Sequence, residues 1–202
     1  MLPGFLFKPM QISPFRAFLS TCGILYVWSL PLLAHYGFAV ANSTSISKFI
    51  SNPPATGAMA AVSFMPLTLM WEYQDTVLTD RGTSLTRTLL YASLSTFQFF
   101  YGGFLICTET YVPMWLHQTM VTLFGISFVV HGLLTIFVMS TSAIVNAVLG
   151  VGIMAFASLL FAKGIWFWVC ECIGFSSMLL FTPLLWYTYT PPVDPLSEMV
   201  DI

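Results

Sequence analysis

The chain has 202 residues, of which 57% are hydrophobic and only 7% are charged. Soluble domains carry about 25% charged residues, so this chain has too little polar surface to cover a water-soluble globule. The composition excludes a cytosolic enzyme and a disordered chain, and a net charge of −2 offers no basic surface for a nucleic acid. We therefore expect a polytopic membrane protein.

Apolar runs of about twenty residues predict membrane-spanning helices, because each run is long enough to cross about 30 Å of hydrocarbon. Barrel strands would instead show alternating segments of roughly ten residues. The connections between the runs are too short for a second domain. We predict an all-α bundle of six transmembrane helices in a single domain, 1–202. The runs are Ala17–Val40, Gly57–Trp71, Thr88–Thr108, Pro113–Met139, Ala143–Ala162 and Ile165–Tyr189.

The positive-inside rule predicts the orientation of the bundle. With six spans both termini lie on one side, and most of the cations collect there, so we expect both termini in the cytosol. Asn42-Ser43-Thr44 is a glycosylation sequon that this topology places outside or in a lumen. A chance sequon near a helix end is the alternative. The terminal side holds Lys8, Arg16, Arg81 and Arg87, and the other side holds Lys48 and Lys163.

Few ionisable groups fall inside the spans, and each is a candidate functional residue because a charge in lipid is costly. His117 and Glu171 lie at similar depth, roughly 7–9 Å below the lumenal surface at 1.5 Å per residue. An imidazole and a carboxylate at one level can share a proton, so we predict a lumenal polar cluster of these two, with His35 or Gln98 nearby. The alternative is that backbone or water satisfies each side chain separately.

Other chemistry is poorly supported by the residue pattern. His117 and His131 face one side of a helix at the spacing of di-haem cytochromes, but only His35 remains as a partner, so a mono-haem protein is a minor alternative. The four cysteines fall within or at the edge of spans, as buried small hydrophobes do, and predict no metal site. No nucleophile–base motif is present, so we expect no catalytic residue and no cofactor. Lipid or acyl transfer by His117 and Glu171 remains a minor enzymatic alternative.

Four short motifs follow one another in the order found in a known family. Together they resemble those of the damage-regulated autophagy modulator (DRAM) family, which includes proteins that remodel GPI anchors and regulators of a phosphatidylinositol kinase complex. The resemblance implies six spans with cytosolic termini, and a lipid-linked or scaffolding role in the plasma membrane or an endomembrane such as lysosome, Golgi or ER. The motifs are the loop segment Ile46–Pro54, Phe97-Gln98, His117 with Phe124-Gly125, and Cys170-Glu171-Cys172.

The sequence thus predicts a non-enzymatic organiser or regulator of membrane lipids and membrane-associated complexes. Arg81 and Arg87 are candidates for contact with anionic lipid head groups, at about 1 kcal/mol each. Ordinary topology-setting cations are the alternative for both. The alternative function is an accessory structural subunit of a large membrane assembly, such as a respiratory or photosynthetic complex. That function would place the chain in an organelle inner membrane, with other membrane subunits as its partners.

Overall fold

All regular secondary structure in the described part of the chain is helical. This computed structural model describes residues 14–63, 70, 84–139 and 141–188. Within these residues there is no β-strand. The helices are α1 (Pro14–His35), α2 (Ile46–Phe49), α3 (53–63), α4 (Ser84–Ile106), α5 (Met114–Val138), α6 (Ala143–Ser158) and α7 (Ile165–Thr188).

Among the described residues, four helical segments are long and apolar enough to cross a membrane, which confirms the predicted all-α polytopic fold. A fifth helix, α6, is apolar but has 16 residues. The predicted second run, Gly57–Trp71, extends into residues outside the described part, so the number of six spans stays a prediction. The four segments are Ala17–His35, Leu85–Ile106, Met114–Val138 and Ile165–Leu185.

Local backbone chemistry sets the helix ends. After α1, Gly37 adopts φ +78°, a left-handed conformation that glycine enters without steric cost. The amide of Phe38 then donates to the carbonyl of Leu33 at 2.9 Å, the Schellman pattern that closes a helix. At the start of α6, the Ser142 hydroxyl accepts from the amide of Val145, which satisfies one of the unpaired first-turn donors.

Helix α7 is the centre of the bundle. It packs against α1 on one side and α6 on another, while α4 and α5 form the closest remaining pair. Phe175 of α7 contacts aromatic rings from α4, α5 and α6, with ring centroids 5.4–6.4 Å apart. This aromatic core joins the helices by ring packing, which is worth about 0.5–1.5 kcal/mol per pair beyond the buried area. Its members are Phe97, Tyr101, Phe104, Phe124, Phe128, Phe156 and Phe175.

Glycine allows the closest helix approach at Gly152 of α6. A Cβ added there would lie 2.7 Å from Cβ of Ser177 and 3.1 Å from the ring of Phe128. The hydroxyl of Ser177 in turn donates to the carbonyl of Val148, so its position is fixed. By contrast, a Cβ at Gly150, two residues earlier, would meet nothing within 4 Å.

These neighbouring glycines make a matched pair for a stability test. We expect Gly152→Ala to lower the thermal midpoint in detergent by several degrees, because overpacking of a tight contact costs about 1–3 kcal/mol. Gly150→Ala should leave the midpoint unchanged or raise it slightly, since alanine favours the helix by about 0.5–1 kcal/mol. Equal midpoints for the two variants would contradict the proposed α6–α7 contact.

Candidate functional site

Polar residues concentrate at one end of the bundle. We call the two segments there, residues 36–52 and 107–113, the cap; the first follows α1 and contains α2, and the second joins α4 to α5. Six buried polar residues belong to the cap or to the helix ends beneath it. Because half of the buried polar residues in the described part of the chain gather at this end, we take it as the candidate functional site. The six are Ser43, Ser47, Ser51, Thr108, His117 and Glu171.

Glu171 holds the first cap segment onto α7. Its side chain is buried, with 4% of the residue exposed, and Oε2 accepts the amide of Ile46 at 2.5 Å. Ile46 is the first residue of α2, where the amide has no partner within the helix. Ser45 completes this helix start, because its hydroxyl accepts from the amide of Lys48 at 3.2 Å. The carboxylate therefore satisfies a backbone donor that would otherwise be buried unpaired.

His117 holds the second cap segment onto α5 in a similar way. Its Nδ1 lies 2.5 Å from the carbonyl oxygen of Cys107. A carbonyl oxygen can only accept, so Nδ1 carries a proton and donates it. The other ring nitrogen, Nε2, lies 3.7 Å from Oε1 of Glu109. His117 is 3% exposed, and its ring lies between this backbone carbonyl and the Glu109 carboxyl group.

The two cap segments also bond to each other. The Thr110 hydroxyl donates to the carbonyl of Ser51 at 2.5 Å. Asn52, next in the chain, donates from its amide to the carbonyl of Phe38 at 3.0 Å and accepts from the amide of Ala55. The Tyr26 hydroxyl of α1 donates to the carbonyl of Ala55 at 2.7 Å. The cap is therefore a cross-linked layer that involves α1, α3, α5 and α7.

The structure places both predicted principal residues, His117 and Glu171, at this end, but it does not pair them with each other. Each bonds to backbone in a different cap segment, which matches the alternative of separate satisfaction. Glu109 lies near both, since its Oε1 is 3.7 Å from Nε2 of His117 and its negative charge disfavours a charged Glu171. His35 is exposed and packs on Tyr36, and Gln98 lies half-buried within α4.

Glu109 is the participant that sequence reasoning missed. It lies at the end of the predicted span Thr88–Thr108, where water can reach an acid, and 24% of its side chain is exposed. The available signal was its position in a short connection that turns directly into the helix carrying His117. A short turn returns the chain to the same end of the bundle, where a carboxylate can reach a first-turn side chain.

The other predicted contact residues lie apart from the cap cluster or outside the described residues. Arg81 lies outside them, whereas Arg87 is half-buried in the first turn of α4 and engaged in an interaction there. Asn42 is exposed in a turn of the cap, with φ +57°. Its side chain is therefore open to modification, while Ser43 beside it turns inward and donates to the carbonyl of Val40 at 2.8 Å.

The haem alternative would require imidazoles that face each other. His117 directs Nδ1 to Cys107 and Nε2 towards Glu109, while His35 is on the exposed end of α1. His131 is buried in the aromatic core, where Nδ1 lies 2.9 Å from the Ser93 hydroxyl and the ring stacks on Phe97. In the described part of the chain, no three His, Cys, Asp or Glu side chains come together as metal ligands.

A lateral groove between α6 and α7 offers shape but no reactive group. Its volume is about 290 Å³ and its lining is almost entirely apolar. Two serines contribute to the lining, but Ser177 donates to a backbone carbonyl and Ser176 accepts from the indole of Trp28 at 3.0 Å. The groove therefore presents hydrocarbon-like walls and offers no free polar group from its two serines.

No family model, curated protein or solved structure matches the chain. The likeness to the DRAM family therefore rests on the four motifs alone. Two of them come together in the structure, since Ile46 of the loop motif bonds to Glu171 of the last motif. A third, at His117, contributes its first residue to the same cap.

The hydrogen bond from His117 to Cys107 should protect the second cap segment from hydrogen exchange. We expect His117→Ala to increase hydrogen exchange in residues 107–113, because Cys107 loses its buried donor, at a cost of about 1–3 kcal/mol. His117→Asn should stay close to wild type, since an asparagine amide can donate from nearly the same position as Nδ1. Exchange should be measured by mass spectrometry on protein in nanodiscs. Similar exchange in wild type and His117→Ala would show that the bond does not hold this segment.

Proposed function

We propose that this chain is a non-enzymatic membrane protein that organises or regulates membrane lipids and the complexes bound to them, as DRAM-like proteins are expected to do. The supporting observation is that the two buried ionisable residues beneath the cap both bond to backbone. Glu171 and His117 each bond to backbone of the cap, at 2.5 Å in both cases. A general acid or base must instead reach a substrate proton, at about 2.6–3.2 Å from the reacting atom.

Glu171 and His117 thus have a structural role, because each holds one cap segment in place through a hydrogen bond. A carboxylate and an imidazole that hold loops in place give the membrane face a defined form, which a scaffold requires. Thr110 and Asn52 extend the same pattern, because their polar atoms also bond to backbone. A rigid cap on a helical bundle suits binding of lipid or protein better than turnover of a substrate.

Substitutions at Glu171 separate a structural clamp from a catalytic group. Glu171→Gln keeps an oxygen that can accept from Ile46, so the clamp role predicts retained function and a near-normal thermal midpoint. Glu171→Ala leaves the Ile46 amide unpaired, so we expect a loss of about 1–3 kcal/mol in stability and loss of function. Function is read as the lipid profile and the co-purifying complexes of host cells that lack their own copy.

The opposite ranking would overturn the proposal. If Glu171→Gln is as folded as wild type but inactive, the carboxylate exchanges protons with a substrate and the enzymatic alternative gains support.

A variant in which both Arg81 and Arg87 are replaced by alanine tests the proposed contact with lipid head groups in the same cells. Their proposed contact with anionic head groups predicts weaker retention of such lipids in that variant.

The accessory-subunit alternative makes a different prediction about particle size. A subunit of a respiratory or photosynthetic assembly would migrate with large partners on a native gel in mild detergent. The proposed organiser of lipids would migrate chiefly as a small particle, with partners present in substoichiometric amounts. Stoichiometric recovery in one large complex would replace the proposed function with the structural one.

Glycosylation of the exposed Asn42 would report which side of the membrane the cap faces and whether the protein passes through the secretory pathway. We propose that it is glycosylated, which requires the cap to face a lumen or the outside while both termini lie in the cytosol. Treatment with a glycosidase should then increase gel mobility of the wild type, and Asn42→Gln should already have that mobility. Thr44→Val, at an exposed position, removes the third residue of the sequon and should give the same mobility as Asn42→Gln. An unshifted wild type would contradict the glycosylation.

A further inference from the structure

The hairpin between α6 and α7 carries the most exposed apolar side chains in the described part of the chain. We call residues 159–166 the tip. Leu160 is 82% exposed and Phe161 is 84% exposed, followed by Ile165 at 55% and Trp166 at 68%. In water such a patch would be costly, at about 25 cal/mol per Å² of apolar surface. The tip therefore requires an apolar environment.

The first half of the tip, residues 159–162, is suited to lipid because its backbone amides donate within the turn that ends α6. The amides of Phe161 and Ala162 both donate to the carbonyl of Ser158, at 3.0 and 2.9 Å, and the amides of residues 159 and 160 bond in the same turn. Gly164, with φ +56°, reverses the chain, and its carbonyl accepts from Phe167 at 3.1 Å. Segments at membrane depth must satisfy their backbone groups in this way.

Exposed aromatic side chains lie at the same end of the bundle as the tip. The tip leads directly into α7, whose Glu171 bonds to the cap less than two turns later. Tyr111 and Trp115, at the second cap segment and the start of α5, are 63% and 66% exposed. Exposed tyrosine and tryptophan at helix ends are typical of the boundary between lipid head groups and acyl chains. The tip therefore lies at this boundary.

Lys163 supplies the charge that identifies the partner. It is exposed between Phe161 and Trp166, and it forms no ion pair with a carboxylate of the described residues. A lysine among apolar side chains at this depth extends its ammonium group towards the phosphate layer. Lys48, in α2, is also exposed at this end, but its neighbours Ser47 and Phe49 are buried, so it lacks an apolar surround.

We propose that the tip inserts at the boundary between head groups and acyl chains and that Lys163 binds the phosphate of a phospholipid head group. The apolar side chains contact the upper acyl chains, and the ammonium group pairs with the phosphate. This contact would be a lipid-binding site of the proposed lipid organiser. Its biological role therefore rests on the proposed function. The site is separate from Arg81 and Arg87, which belong to other parts of the chain.

The two exposed lysines provide a matched experiment on the full-length protein. Wild type, Lys163→Ala and Lys48→Ala are placed in nanodiscs of phosphatidylcholine with one-fifth phosphatidylglycerol, then released into mild detergent, and bound phospholipids are counted by native mass spectrometry. We expect Lys163→Ala to reduce phosphatidylglycerol retention about fivefold, as loss of one basic contact predicts. Lys48→Ala should change retention less than twofold. A double variant, Leu160→Ser with Phe161→Ser, should lose retention although Lys163 is present.

Three results would overturn this inference. Retention by Lys163→Ala within twofold of wild type would remove the head-group contact. Equal losses in Lys163→Ala and Lys48→Ala would indicate general surface charge. A wild-type dimer in detergent that becomes monomeric in the tip double variant would make the tip a protein–protein contact. Because retention is measured on purified protein, it can succeed even if the cellular tests of the proposed function fail, and the two failures are distinguishable.

Discussion

A carboxylate within a membrane helix needs a hydrogen-bond donor from the chain itself, and the amide of Ile46 supplies one to Glu171. A buried polar group without a partner costs free energy, so this bond constrains where the first cap segment can lie. Since Ser51 follows in the same segment and bonds to Thr110, the constraint passes to the second cap segment. His117 then fixes that segment to α5 through Cys107.

The bundle below the cap depends on a different kind of interaction. Lipid tails are as apolar as the helices, so burial of apolar surface alone gives no strong drive to associate, and close packing must supply it. The ring cluster around Phe175 and the tight contact between Gly152 and Ser177 provide such packing. Directional bonds therefore position the segments at the end of the bundle, and shape complementarity positions the helices within it.

The helices could be predicted well where bilayer thickness sets their length. The predicted runs Pro113–Met139 and Ile165–Tyr189 agree with α5, Met114–Val138, and α7, Ile165–Thr188, within one residue at each end. The first run was extended too far, to Val40, because residues 36–40 are largely apolar although they belong to the cap. Hydropathy does not register the left-handed turn at Gly37, which ends α1. The spans that include residues outside the described part stay predictions.

The candidate site was predictable in depth but not in its pairing. Counting residues from the helix ends places His117 and Glu171 at one level, yet it does not give the rotation of each helix or the path of the loop backbone between them. Those loops supply the partners, Cys107 and Ile46, through atoms that every residue carries, so no side-chain motif reveals them. Since Glu171 and His117 direct their buried polar atoms to backbone of the cap, we propose that recognition of lipid or protein falls to exposed groups at this end, with Lys163 and its apolar neighbours as the contact with lipid.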